Sequence, residues 1–301
     1  MRTAAIPLAK EPTAVSGRAA STVLIAKPGI AAGVAVAGMA GMVLAAGGVP
    51  PLHRVLPCLG SILLAASGAA ILNGIFDART DARMPRLSAR VAALHRVGTG
   101  RALALALLLV AGGLLLAYRY LNGLSALLVL AAVLSYSLLY TLLLKRRSPY
   151  GTIPGGVPGA LPVLIGYASV AGRIGPDGWI LFLLMLLWQP PHFWALALKY
   201  RDQYRAAGIP ALPVVRGESY TRVLIFLYAV ALLPMSLALW AFGYCSGYFA
   251  MAAVLLWSGF LVSSYRNAVA GRRYGRAFGA SIVYLMLLLS ALVGDILLRS
   301  L

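Results

Sequence analysis

The chain has 301 residues, of which 61% are hydrophobic and 11% charged. A soluble fold of this size needs more charge to cover its surface, so lipid is the implied solvent. The formal charge of +19, from 26 basic and 7 acidic residues, raises nucleic-acid binding, which fails because the basic residues form short clusters between long apolar runs.

Residues 1–27 hold Arg2, Lys10, Arg18 and Lys27 among small and polar residues. They have neither the apolar core nor the cleavage site of a secretory signal. A flexible cytoplasmic tail over 1–27, followed by a transmembrane domain over 28–301, is expected. A bilayer span needs roughly 20 apolar residues. Nine such stretches occur, at 29–49, 55–76, 101–120, 123–144, 152–171, 179–199, 221–241, 245–263 and 280–298. Backbone polar groups find no partner in hydrocarbon, so all nine must be helices, and the fold is an all-α polytopic membrane protein. Pro154, Pro158 and Pro162 interrupt the fifth stretch, which predicts a kinked helix packed among neighbours.

With the N-terminus inside, the inner connections hold 22 Lys and Arg, and the outer ones hold Arg54, Arg119, Arg173 and Arg299. That asymmetry sets the topology, puts the C-terminus outside and explains the charge without nucleic acid. Cys58 and Cys245 sit in separate apolar runs and read as buried hydrophobes. Among the few acids, Glu11 is in the tail, Asp177 in an outer turn, Glu218 in a loop and Asp295 near the end of the last span. Asp77, Asp81 and Asp202 all fall on the cytoplasmic side, beside basic loops.

Asn73, Asp77 and Asp81 are spaced four apart at the end of the second span, so they share one helix face. Two like charges one turn apart cost a few tenths of a kcal/mol, and more when partly buried. They can be solvated and paired with Arg79, Arg83 and Arg86. Alternatively they hold a divalent cation: Mg2+ takes carboxylate oxygens, leaves positions for phosphate, and the guanidinium forks take the remaining oxygens. The scarcity of acids elsewhere favours the metal–diphosphate reading.

The sixth span ends in Trp188-Gln189-Pro190-Pro191-His192-Phe193-Trp194, followed by Lys199, Asp202 and Tyr204. Spacings of three, seven and three put Gln189, His192, Lys199 and Asp202 near one helical face. Pro190-Pro191 predicts a break or kink there, beside a cavity. His192 reads either as a hydrogen-bonded core histidine or as a group for acceptor binding or proton handling. Lys145, Arg146 and Arg147 read equally as a topology signal or as phosphate contacts. The apolar loop 208–217 suits a lid over a hydrophobic substrate.

These residues resemble the UbiA-type intramembrane prenyltransferases, whose first motif is Asn-x-x-x-Asp-x-x-x-Asp, and within that superfamily the branch that farnesylates protoheme IX. Residues 140–152, 188–193 and 202–215 carry the resemblance beyond the motif. It implies a central cavity open to the cytoplasm and Mg2+ at Asp77, Asp81 and Asn73. It also implies transfer of a farnesyl group from farnesyl diphosphate to a vinyl group of heme B with addition of water, giving heme O. His192 is then expected to contact heme or direct that water. Candidate substrate contacts are Arg79, Arg83, Arg86, Lys145, Arg146, Arg147, Gln189, Lys199, Asp202 and Tyr204. Implied surroundings are a bacterial plasma membrane and a heme A synthase or oxidase assembly factors as partners. Two departures stand out: Leu87 replaces the usual Thr after Met84-Pro85-Arg86, and only Asp202 remains where many relatives carry a second aspartate pair. Rival readings are a prenyltransferase with an aromatic-acid or chlorophyll-type acceptor and a proton-coupled carrier. A carrier should show midplane charges and internal repeats, and neither is present.

Overall fold

The computed structural model describes residues 17–301, and every element among them is helical. A short helix, α1 (Arg18–Ala26), precedes the first span, α2 (Pro28–Ala46). The second span, α3 (Leu52–Asp81), leads through α4 (Ser88–Val97) to α5 (Thr99–Tyr120). Then come α6 (Gly123–Arg147), α7 (Pro154–Ala171) and α8 (Pro176–Lys199). Two short helices, α9 (Arg201–Ala206) and α10 (Leu212–Val215), connect to α11 (Glu218–Ala241), α12 (Gly247–Ala270) and α13 (Tyr274–Arg299). Among the described residues nine helices are long and apolar enough to span a bilayer, and they coincide with the nine expected stretches.

Three sequence expectations are corrected. Residues 18–26 are not a flexible tail: α1 seats Ile25 against Ala93 and Leu94 of α4 and Ile71 of α3. Residues 1–16, with Glu11, lie outside the described residues. Of the break or kink expected at Pro190 and Pro191, the break does not occur: α8 continues through both prolines, packed between neighbouring helices that let the freed backbone groups be tolerated. Asp202 does not share a face with Gln189 and His192, because Tyr200 ends α8 and Asp202 belongs to the separate helix α9 that Arg201 opens.

Small residues let the spans approach closely. A Cβ on Gly41 would collide with the Val163 carbonyl, and one on Gly166 with the Gly38 carbonyl, so α2 and α7 meet backbone to backbone. Gly68 and Gly113 play the same part between α3 and α5. With α2 and α8 around it, α7 is the most buried span, as its prolines suggest. At about 1.5 Å per residue, the 30-residue α3 is longer than the roughly 30 Å of hydrocarbon. Its last turns therefore stand in the basic end of the bundle, where α1, α4, α9 and α10 gather.

Candidate active site

The end of α3 carries the Asn73, Asp77 and Asp81 face, and all three side chains are buried. Opposite them, α6 widens into a π-helical segment over Ser135–Leu144. Thr141 there donates to the Tyr136 carbonyl at 2.8 Å, a π-type spacing of five. Its hydroxyl oxygen also accepts a hydrogen bond from Asn73 Nδ2 at 3.1 Å, while Asn73 Nδ2 donates to Asp77 Oδ2 at 2.8 Å. Lys145, one turn beyond Thr141, reaches Asp77 Oδ2 at 2.5 Å. Arg146 donates to Asp77 Oδ1 at 3.4 Å and to the Phe76 carbonyl at 2.7 Å.

Sequence reasoning did not select Lys27. Its Nζ donates to Asn73 Oδ1 at 2.6 Å, and the side chain is buried at the junction of α1 and α2. Its φ of 53° is a left-handed conformation unfavourable for a β-carbon residue, and doubly so before Pro28. Burial, then the charges of Arg90 and Lys145, bring its pKa down to about 7 against the opposing pull of Asp81 and Asp77. Pro28 marks the start of the span, but nothing in the sequence joins Lys27 to a motif 46 residues away.

Asp81 is 6% exposed, yet among the described residues its carboxylate takes part in no hydrogen bond or ion pair. Arg90 of α4 shares a small cavity with it, lined also by Ile25, Ile71 and Leu94. Burial pulls the Arg90 pKa below the usual guanidinium range, with the Asp81 charge opposing. The Arg90 Nε has no hydrogen-bond partner among the described residues. A buried donor without a partner is costly unless a ligand completes it, and a carboxylate lining the same cavity can hold the cation of such a ligand. The donor set is all oxygen (two carboxylates and an amide carbonyl), which fits a hard divalent cation such as Mg2+ whose remaining positions go to an anionic ligand.

The other candidates divide into three groups. Arg86 and Tyr204 meet: Arg86 Nη2 donates to the Tyr204 hydroxyl at 3.0 Å, and its guanidinium lies over the Tyr200 ring at 4.5 Å. Met84, Ala207 and Ile209 pack beneath this contact. The α9–α10 segment thus straps a cavity of about 50 Å3 lined by Tyr140, Lys145, Phe193, Trp194, Tyr204 and Leu212. Arg79, Arg83, Arg147, Lys199 and Asp202 are exposed, and among the described residues Asp202 pairs only with Arg205. Gln189 turns toward α7, donating to the Gly156 carbonyl at 2.6 Å. His192 faces α13, its ring stacked between Trp188 and Phe278 with its Nδ1 2.7 Å from the Ser281 hydroxyl.

Residues 34–294 match the family model described as the UbiA prenyltransferase family. The chain belongs to that family. It is 54% identical over 255 residues to the protoheme IX farnesyltransferase of Geotalea uraniireducens (strain Rf4), covering 85% of this chain and 98% of that protein. The fold is similar to that of a digeranylgeranylglyceryl phosphate synthase, with a TM-score of 0.75, 14% identity and coverage of 93% and 99% of the two chains. It is also similar to a UbiA homolog from Archaeoglobus fulgidus bound to DMAPP and Mg2+, with a TM-score of 0.67, 13% identity and coverage of 90% and 99%. As a UbiA-family member the chain is a multi-pass membrane prenyltransferase.

Proposed function

We propose that the chain transfers a farnesyl group from farnesyl diphosphate to a vinyl group of heme B, with addition of water, to give heme O. The enzyme would be Mg2+-dependent and sit in a bacterial plasma membrane, with Asp77 and Asp81 at the cytoplasmic end. The observation that carries the reading lies at the end of α3: the buried Asp81, whose carboxylate makes no hydrogen bond or ion pair among the described residues, shares a small cavity with half-buried Arg90, whose Nε has no partner there. A metal diphosphate supplies a cation to the first and an oxygen acceptor to the second. A relative 54% identical that carries the protoheme IX farnesyltransferase name supports farnesyl donor and heme acceptor.

Asp77, Asp81 and Asn73 Oδ1 would hold Mg2+, which when bound supplies positive charge to the departing diphosphate. Lys27, Lys145 and Arg90 bring further cations to the same volume, so charge building on the leaving oxygens meets fixed donors already in place. Lys27 and Lys145 now rest on Asn73 and Asp77 and exchange those partners for phosphate oxygens. The carbon–oxygen bond breaks, and the allylic cation is held in the cavity of Tyr140, Phe193 and Trp194. Their π faces tolerate positive charge, while the strap of α9 and α10 excludes water until transfer. The vinyl π electrons then form the new carbon–carbon bond, and water quenches the cation beside the macrocycle and gives up a proton.

Membranes containing the chain, incubated with heme B, farnesyl diphosphate and Mg2+, should yield a product with the mass of heme O. Membranes of the Asp81→Asn variant should yield none. Conversion of an aromatic acid or a chlorophyll-type acceptor, with heme B untouched, would refute the acceptor assignment.

A further inference from the structure

We infer that Ser281 is a positioning residue that locks His192 as the Nδ1–H tautomer and aims its Nε2 lone pair at the iron of the acceptor heme as an axial ligand. This rests on heme B being the acceptor. The Ser281 hydroxyl has one proton and two contacts: the Phe278 carbonyl at 2.6 Å and His192 Nδ1 at 2.7 Å. A carbonyl can only accept, so the hydroxyl donates to Phe278 and must accept from His192 Nδ1–H. The imidazole Nε2 then carries the lone pair, and among the described residues nothing hydrogen-bonds to it.

The ring cannot turn to reverse this arrangement. Trp188 stacks on one face at 4.4 Å between centroids and Phe278 on the other at 4.3 Å. Phe193 closes an edge at 5.3 Å. The Ser281 backbone also holds one plate of the sandwich, because Trp188 Nε1 donates to its carbonyl at 2.7 Å. One residue of α13 thereby fixes the tautomer by its hydroxyl and the stacking partner by its carbonyl. A histidine that donates one ring N–H to a fixed acceptor while the other nitrogen stays open is the arrangement found at metal-ligating imidazoles. A general base would instead profit from a carboxylate behind the ring, and the residue behind it here is a neutral hydroxyl. Lys199, two turns along α8 from His192, stands over Gly275 at the basic end, where a heme carboxylate could reach it. Ligation forms one coordinate bond from Nε2 to iron and displaces a solvent ligand, with no change in oxidation state.

The test titrates the full-length chain in lipid nanodiscs with ferric heme B, without farnesyl diphosphate, and follows visible absorption and electron paramagnetic resonance. Wild type should give an imidazole-ligated spectrum, His192→Ala should lose it, and added imidazole should restore it. Ser281→Ala should bind heme about 10–100-fold more weakly, and Ser281→Thr, which keeps the hydroxyl, should recover most of that loss. Identical spectra for wild type and His192→Ala would overturn the inference while leaving heme as acceptor. Equal weakening in Ser281→Ala and Ser281→Thr would reduce Ser281 to a packing residue and also overturn it. Absence of heme binding by wild type would overturn both the inference and the acceptor assignment.

Discussion

The two aspartates one turn apart have different environments, and their substitutions should separate accordingly. Asp77 answers Lys145, Arg146 and Asn73, so Asp77→Asn removes a mostly buried counter-charge and should cost about 3 kcal/mol as well as turnover. Asp81 makes no hydrogen bond or ion pair among the described residues, so Asp81→Asn should abolish turnover with an unchanged or raised unfolding midpoint. Thermal unfolding of both variants in detergent, beside the heme O assay, checks the contrast; equal loss of stability would contradict it. Lys27→Met should weaken binding of inorganic pyrophosphate about tenfold, the worth of one charge-assisted hydrogen bond, as read by calorimetry. The Asn73–Asp77–Asp81 face was legible because a spacing of four is a local property of helices. Lys27, Arg90 and Ser281 were not, because packing alone brings them to their partners.

Whole elements depart from the sequence reading where neighbours override local preference. Nothing in Ser135–Leu144 announces a π segment: it has neither proline nor glycine, yet its wider turn sets Thr141 and Lys145 opposite Asn73 and Asp77. Pro190 and Pro191 announce a break or kink, and with α7, α11 and α13 packed around them the helix does not break. The apolar loop expected to act as a lid lies over the small cavity, and its hold is local: Arg86 against Tyr200 and Tyr204, above Met84 and Ile209. A cation over two rings and one hydrogen bond amount to about 1–2 kcal/mol. Arg86→Ala should therefore speed proteolysis at the exposed Gly208 severalfold, measured by limited digestion, and saturating farnesyl diphosphate should slow it again. Behind the strap, Glu218 takes Arg272 at 3.0 Å, Arg222 at 3.6 Å and the Tyr274 hydroxyl, tying α11 to the start of α13.

At the scale of the molecule, composition and periodicity carried nearly everything, because a bilayer leaves few options for an apolar chain. The nine spans fall where hydropathy puts them. Sidedness follows from the proposed positive-inside topology, and labelling can check it. Cys58 and Cys245 are buried, which keeps the background low. Ser88→Cys should react with a membrane-impermeant maleimide only in inverted vesicles, and Arg173→Cys only in right-side-out ones. The opposite pattern would invert the topology and move Asp77 and Asp81 to the outer face. The glycine seam between α2 and α7 also bears on biogenesis. About 110 residues separate the two helices in the chain, so at 5–20 residues per second the first waits on the order of ten seconds for the second. During that wait the Gly38 and Gly41 backbone is a bare groove facing lipid, open to any other small-residue helix nearby. Early assembly thus has a vulnerable interval set by ribosome speed, and slowing translation between the third and fourth spans should increase misassembled, protease-cleared chains.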